Sequence, residues 1–263
     1  MKHHHVHHAN ELPNDLLLAL PFVLAVLIYP LLGLGSNKRH KRWPIYRYIC
    51  WVSGVLSAAV ALIGPVANLA HENFIAHMVG HLFLGMLAPL LLAHAAPMTL
   101  LMRTLSVGHA RKLSRVLKSF PVRIYCHPIV ASILNIGGLT VLYTTELYSA
   151  MHHYALLHII VHLHIFLAGY LYTISIIYID PAPHRYSFIL RAIVLILSLA
   201  AHGTLSKYIY AYPPPGGVPM EQAQMGGMIM YYGGDIVEVV LIFFFCQKWY
   251  KAARPRTSVS ISH

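Results

Sequence analysis

Seven stretches of this chain are long and apolar enough to cross a bilayer, and nothing else in the sequence restricts its fold as much. They run roughly from 16 to 35, 46 to 67, 75 to 95, 128 to 147, 155 to 178, 187 to 205 and 226 to 247. A helix needs about 20 apolar residues to traverse ~30 Å of hydrocarbon, and each run meets that length. With 57% hydrophobic and 10% charged residues, a single soluble core is a poor explanation for the 263-residue chain. The expected fold is all-α: a polytopic membrane protein of seven transmembrane helices.

Positive charge sets the expected orientation, because Lys and Arg are retained on the cytoplasmic side. With the N-terminus outside, 17 of the 19 basic residues fall in inner segments, and only Lys2 and Lys207 fall elsewhere. The C-terminus is then cytoplasmic. The formal charge of +11 is thereby explained by topology and contact with anionic lipid, and nucleic acid is not an expected partner. Residues 103 to 123 interleave Leu, Val and Phe with basic residues, the pattern of an amphipathic helix on the inner leaflet. The expected organisation is an external His-rich tail (1–15), the seven-helix domain (16–247) and a cytoplasmic basic tail (248–263). The first apolar run lacks a basic leader and a cleavage site, so it is read as a retained helix. Cys50, Cys126 and Cys246 form no CxC or CxxC pair, which argues against a disulfide framework or a thiolate metal site. The stretch "YPPPGGVP" (212–219) cannot be helical and marks an outer loop.

Twenty histidines are present, and the topology sorts them into two groups. One group is scattered among basic residues on the inner side. The other gathers at the outer side: His71, His77 and His81 on helix three, His152, His153, His158, His162 and His164 at helix five, and His202 at the end of helix six. His77 and His81 are four residues apart, as are His158 and His162, so each pair shares a helical face. Two such pairs at similar depth could face one another and chelate a metal, since imidazole suits copper, zinc, iron and nickel. His164, two positions from His162, must point elsewhere. A membrane histidine can also do no more than hydrogen-bond across helices, but ionisable groups at membrane depth read first as functional.

Asp235 and Glu238 lie mid-membrane in helix seven, three residues apart, where they could ligate metal, orient a histidine or relay protons. Gly226, Gly227, Gly233 and Gly234 beside them would let another backbone approach. Glu146 is a third acid at the outer end of helix four. Met78, Met86, Met151, Met220, Met225, Met228 and Met230 cluster on the same half, and thioether with imidazole is the ligand mixture of reduced copper, although Met is equally an ordinary packing residue. The tract "HHHVHH" suits metal capture by composition, or is a purification tag.

The block "HENFIAHMVGHLFLGMLAPLLLAHAAPMTLLMR" (71–103) resembles the signature of the multi-span CtaG family of cytochrome c oxidase assembly factors. The similarity continues through "ELYSAMHHYALLHIIVHLHIFLAGYLY" (146–172) and the Gly-rich "GGMIMYYGGDIVEV" (226–239). The resemblance implies a plasma-membrane protein that holds or delivers copper while a haem-copper oxidase is built, with an oxidase subunit and membrane lipids as partners. It carries His77, His81, His158 and His162 over as the paired histidines, and His71 and His202 more weakly. The Cys-Phe-Cys of the unrelated single-span copper chaperone of the same name is missing, so copper would rest on imidazole, thioether and carboxylate. The expected metal site therefore comprises His71, His77, His81, His153, His158, His162, His202, Asp235 and Glu238, toward the external face. A non-enzymatic role is expected. The alternatives are a seven-helix zinc hydrolase, for which no serine stands out beside the cluster, and a haem b electron carrier. A transporter is less well supported, because no broken-helix pair stands out.

Overall fold

The protein is described here by a computed structural model covering residues 11–38 and 40–254, with side chains from Leu18 onward. The His-rich tract at 1–10, Arg39, Arg256 and His263 lie outside the described residues. Among the described residues every regular element is helical: α1 (Glu11–Asn37), α2 (Ile45–Leu62), the short α3 (Pro65–Ala70), α4 (Phe74–Thr104), α5 (Val107–Leu117), α6 (Phe120–Tyr125), α7 (Pro128–Thr144), α8 (Leu147–His153), α9 (Ala155–Ile176), α10 (Phe188–Ala211) and α11 (Met220–Ala253). Six of these, α1, α2, α4, α9, α10 and α11, are long and apolar enough to span a membrane alone.

The candidate seventh span is a bent pair. Helices α7 and α8 pass the length and hydropathy test only together, and they meet at 78°. The cause is local. Thr144 and Thr145 turn their hydroxyls back onto the carbonyls of Thr140 and Val141, and the Thr145 Oγ1 then accepts from the Leu147 N–H to start α8. Such back-bonding competes with the helix ladder and favours a break. The expected uninterrupted helix from 128 to 147 is thus corrected to a straight segment and a short cap folded across the bundle.

Contacts sort the connections into two ends. At one, Asp180 accepts from the N–H groups of Met98 and Thr99, Arg103 donates to the Lys41 carbonyl, and a cavity is walled by Arg123, Cys126 and His184. At the other, Gln222 accepts from the Phe74 N–H and Gly216 packs on Ser149. Since α7 starts at the first end and α8 closes at the second, the bent pair reaches across the bundle and, counted as one span, brings the candidate membrane spans to seven. The basic connections share one end, as expected from sequence. The amphipathic stretch there forms two short helices, α5 and α6, with no buried residue, in place of one.

Helix α4 is the centre of the bundle and the most enclosed of the spans, whereas α1 is the least. Asn73 caps it by accepting from Ile75 and Ala76, which fixes the register of His77 and His81. One turn later the ladder widens to a π-turn at Leu82–Leu87, closed by the Ala88 N–H on Phe83 O. Pro89 is the physical reason: it has no N–H for the Gly85 carbonyl and its ring crowds that position. The released carbonyl lies against Gly169 of α9, where a Cβ would come within 2.1 Å of it. Two more π-turns occur, at Ile133–Gly137 in α7 and Ile229–Gly233 in α11. All three flank the same region of the bundle, and π-turns inside α-helices often mark functional sites.

Candidate functional site

The histidines form a chain that descends from the end opposite the basic loops. His71, exposed beyond α3, stacks on His158 with ring centroids 4.9 Å apart, and His158 stacks on His162, one turn deeper on α9, at 4.2 Å. His162 meets His77 of α4 edge to face at 6.2 Å. Across the α4–α9 contact His77 meets His162, whereas the second member of each pair goes elsewhere, His158 to His71 and His81 to His202. The bent cap α8 covers them: Tyr148 packs on His77 at 5.0 Å, and His152 sits 6.2 Å from His71.

Hydrogen bonds decide which nitrogens are available. His162 Nδ1 and His152 Nδ1 each engage the backbone carbonyl four residues back, which makes Nδ1 the protonated nitrogen and leaves the Nε2 lone pair free. His77 Nε2 is paired with the Tyr143 hydroxyl at 3.1 Å. Fixing the tautomer through one nitrogen so that the other can ligate is the usual arrangement of metal-binding imidazoles.

Deeper still, His81 and His202 lie 6.4 Å apart, 4% and 2% exposed. Neither nitrogen of His81 has a partner, nor does His202 Nε2. An unpartnered buried polar atom costs about 1–3 kcal/mol, so this pair is held at a price that packing alone does not explain. His202 Nδ1 is 3.1 Å from Glu238 Oε1, a carboxylate–imidazole contact that directs Nε2 toward the interior. Gly234 makes the pair possible, since a Cβ there would stand 2.5 Å from His202 Cε1. Both imidazoles and Glu238 line a cavity of ≈ 40 Å³ together with Met86, Asn135 and Ser198. That is room for a few waters or one ion with its ligands.

The sequence-derived set is therefore only partly gathered. His71, His77, His81, His158, His162, His202 and Glu238 belong to the chain of contacts. His153 does not: it is the last residue of α8 and exposed, whereas His152 turns onto the cluster. Asp235 is exposed on α11; it lies about 60° around the helix from Glu238 and lines only the outer side, not the cavity. Glu146 is likewise exposed at the bend. His164 bonds the Leu134 carbonyl, away from the cluster as its spacing required. Of the glycines, Gly227 admits a backbone, the Ser206 carbonyl, whereas Gly226, Gly233 and Gly234 admit side chains. Sequence reasoning missed Asn135, Ser198, Tyr143 and Tyr148. Ser198, four residues before His202, corrects the expectation that no serine lies near, although its hydroxyl already bonds Val194 O and Ser132. The bent α7–α8 pair likewise corrects the expectation that no broken helix stands out.

Among the described residues, no group of three or more His, Cys, Asp or Glu side chains is disposed to hold a metal ion. The arrangement is one of successive pairs. His77–His162 and His81–His202 have ring centroids 6.2 and 6.4 Å apart.

The cytochrome c oxidase caa3 assembly factor model matches residues 27–252. The chain belongs to this family. The match begins inside α1, ends one residue before the end of α11 and takes in every histidine of the descending chain. An uncharacterized protein of Mycobacterium leprae is 25% identical over 228 residues, 79% of this chain and 34% of that protein. Uncharacterized proteins of Mycobacterium bovis and Mycobacterium tuberculosis are each 31% identical over 156 residues, 57% of this chain and 24% of theirs. The chain thus spans about a third or less of these relatives. No solved structure matches.

The basic end of this family member holds a second cavity, of ≈ 110 Å³, between Met98, Cys126, Tyr170, Tyr178 and His184. Burial pushes the Cys126 thiol and the Tyr178 hydroxyl above their ordinary pKa values, and the backbone contact with Tyr186 and the nearby Arg191 partly offset the latter. Both groups are neutral at physiological pH, so this cavity presents neither a thiolate nor a phenolate.

Proposed function

We propose that the protein carries Cu(I) as cargo during construction of cytochrome c oxidase, taking it up at the His71–His158–His162 end and holding it between His81 and His202. The observation that carries this reading is the deep pair: three unpartnered imidazole nitrogens, buried, on one small cavity, with Met86 beside them and Glu238 orienting His202. The donor chemistry fits. Neutral imidazole and thioether are soft enough for Cu(I), and without thiolates they hold it loosely enough for exchange. Glu238, partly buried beside the pair, would set a carboxylate against one Cu(I). The upper histidines would pass the ion inward by ligand exchange, each neighbour lying 4.2 to 6.2 Å from the last.

In this reading the protein sits in the plasma membrane with the basic loops cytoplasmic and the histidine entrance outside, as the distribution of Lys and Arg supports. The test is metal content after purification in mild detergent, beside His81→Ala/His202→Ala, with oxidase assembly followed in the same cells. Near-stoichiometric copper in wild type, lost in the double variant together with oxidase, is the expected result. Stoichiometric zinc with lipid amide or ester hydrolysis, or a Soret band from haem b, would replace this reading with one of the other two.

A further inference from the structure

Glu238 lines two spaces at once. It faces the inner cavity with His81 and His202, and it also forms part of a groove on the outer surface between α10 and α11, with Ala200, Gly203, Thr204, Lys207 and Asp235. The groove is larger than the cavity, ≈ 360 Å³, and small residues of α10, Ala200, Gly203 and Thr204, line it opposite Tyr231 and Val239 of α11. Asp235 is exposed there and makes no ion pair among the described residues. The nearest cation in the groove, Lys207, lies over the Tyr231 ring at 5.2 Å. Fifteen residues of α11 separate Asp235 from Met220 and eighteen from Ala253, so it lies near the middle of the helix, where acyl chains offer a carboxylate nothing.

We propose that this groove receives a transmembrane helix of the client oxidase subunit, one that presents a histidine or basic side chain to Asp235, and that copper leaves sideways past Glu238 to that helix. The inference rests on the copper-carrying role proposed above and names the partner and the exit of the same site. An intramembrane charge left open to lipid is costly and ordinarily pairs within protein, and here the unpaired charge is one helical turn from the residue that closes the cavity. Charge complementarity therefore selects a polar-bearing helix over lipid as the occupant, and the shared wall at Glu238 gives the docked helix access to the metal without passage through water.

A photo-crosslinking residue placed at Val239 or Ala200, both exposed in the groove, and at Leu167, exposed on α9 outside the groove, tests this in cells assembling oxidase. Val239 and Ala200 should crosslink to the copper-bearing oxidase subunit and Leu167 should not. Asp235→Leu should lower that crosslink about tenfold, as expected for loss of one interhelical polar contact, and Asp235→Glu should restore it. Purified Asp235→Leu should still contain as much copper as wild type, because its side chain does not line the cavity. Crosslinks to lipid only, or to a second copy of this chain, or a wild-type crosslink in Asp235→Leu, would overturn the docking proposal. Absence of copper from the wild-type protein would instead remove the cargo reading and leave the docking result standing.

Discussion

Replacing Gly234 with Ala probes the deep pair with one methyl group. The backbone there is ordinary helix, φ −61° and ψ −49°, so alanine is conformationally welcome and gains about 1 kcal/mol of helix propensity. Its Cβ would stand 2.5 Å from His202 Cε1, against the roughly 3.5–4 Å of a normal carbon contact. The imidazole must therefore move by about 1 Å, and overpacking of this kind costs about 1–3 kcal/mol. The net effect on stability is a loss of about 0–2 kcal/mol, a drop of a few degrees in the melting temperature. The effect on copper should be larger. A shift of that size opens the 3.1 Å contact between His202 Nδ1 and Glu238, and loss of such an orienting bond weakens metal binding about 10- to 100-fold. Competition with a chromophoric Cu(I) chelator on detergent-purified protein measures it. Gly108→Ala, with nothing within 4 Å of the new Cβ, serves as the matched control and should bind as wild type. A folded Gly234→Ala protein with wild-type copper affinity would refute the assignment of His202 as a ligand.

Glu238→Gln keeps the shape of the wall but removes its charge, and should lower Cu(I) affinity about 10- to 100-fold in the same competition assay while leaving the fold intact. Gly169→Ala would set a Cβ 2.1 Å from the Gly85 carbonyl, a backbone atom that cannot rotate away, so thermal unfolding in detergent should show a loss of at least about 1–3 kcal/mol. Burial raises the Cys126 thiol pKa above its ordinary value of 9.0, so its alkylation at pH 8 should be slower than that of a free cysteine, with a rate midpoint above 9. The linked stability is constant below that ordinary value and falls as pH rises through it, because the unfolded chain gives up the proton first.

The spans were legible in the sequence because hydrocarbon tolerates no unpaired backbone, so length and hydropathy alone select the helices. The helical repeat likewise put His77 with His81 and His158 with His162 on common faces. Periodicity within one segment could not reveal how the segments break. The Thr144–Thr145 bend separates α8 from its neighbours and exchanges His153 for His152, and the π-turns bring Met86 and Asn135 to the cavity. Nor could spacing distinguish Asp235 from Glu238: three residues apart, both read as mid-membrane acids.

The amino-acid order by itself determined that this chain is a helical membrane protein with its basic loops at one end and its paired histidines toward the other, since those properties follow from solvation of each segment separately. Only the packing of the helices decided that His202 of α10 meets His81 of α4 over a small cavity, that Glu238 turns in while Asp235 turns out, and that a single wall divides the two. Those outcomes depend on where close approach is sterically open, at Gly85, Gly169 and Gly234, and that is a property of neighbours far apart in the chain.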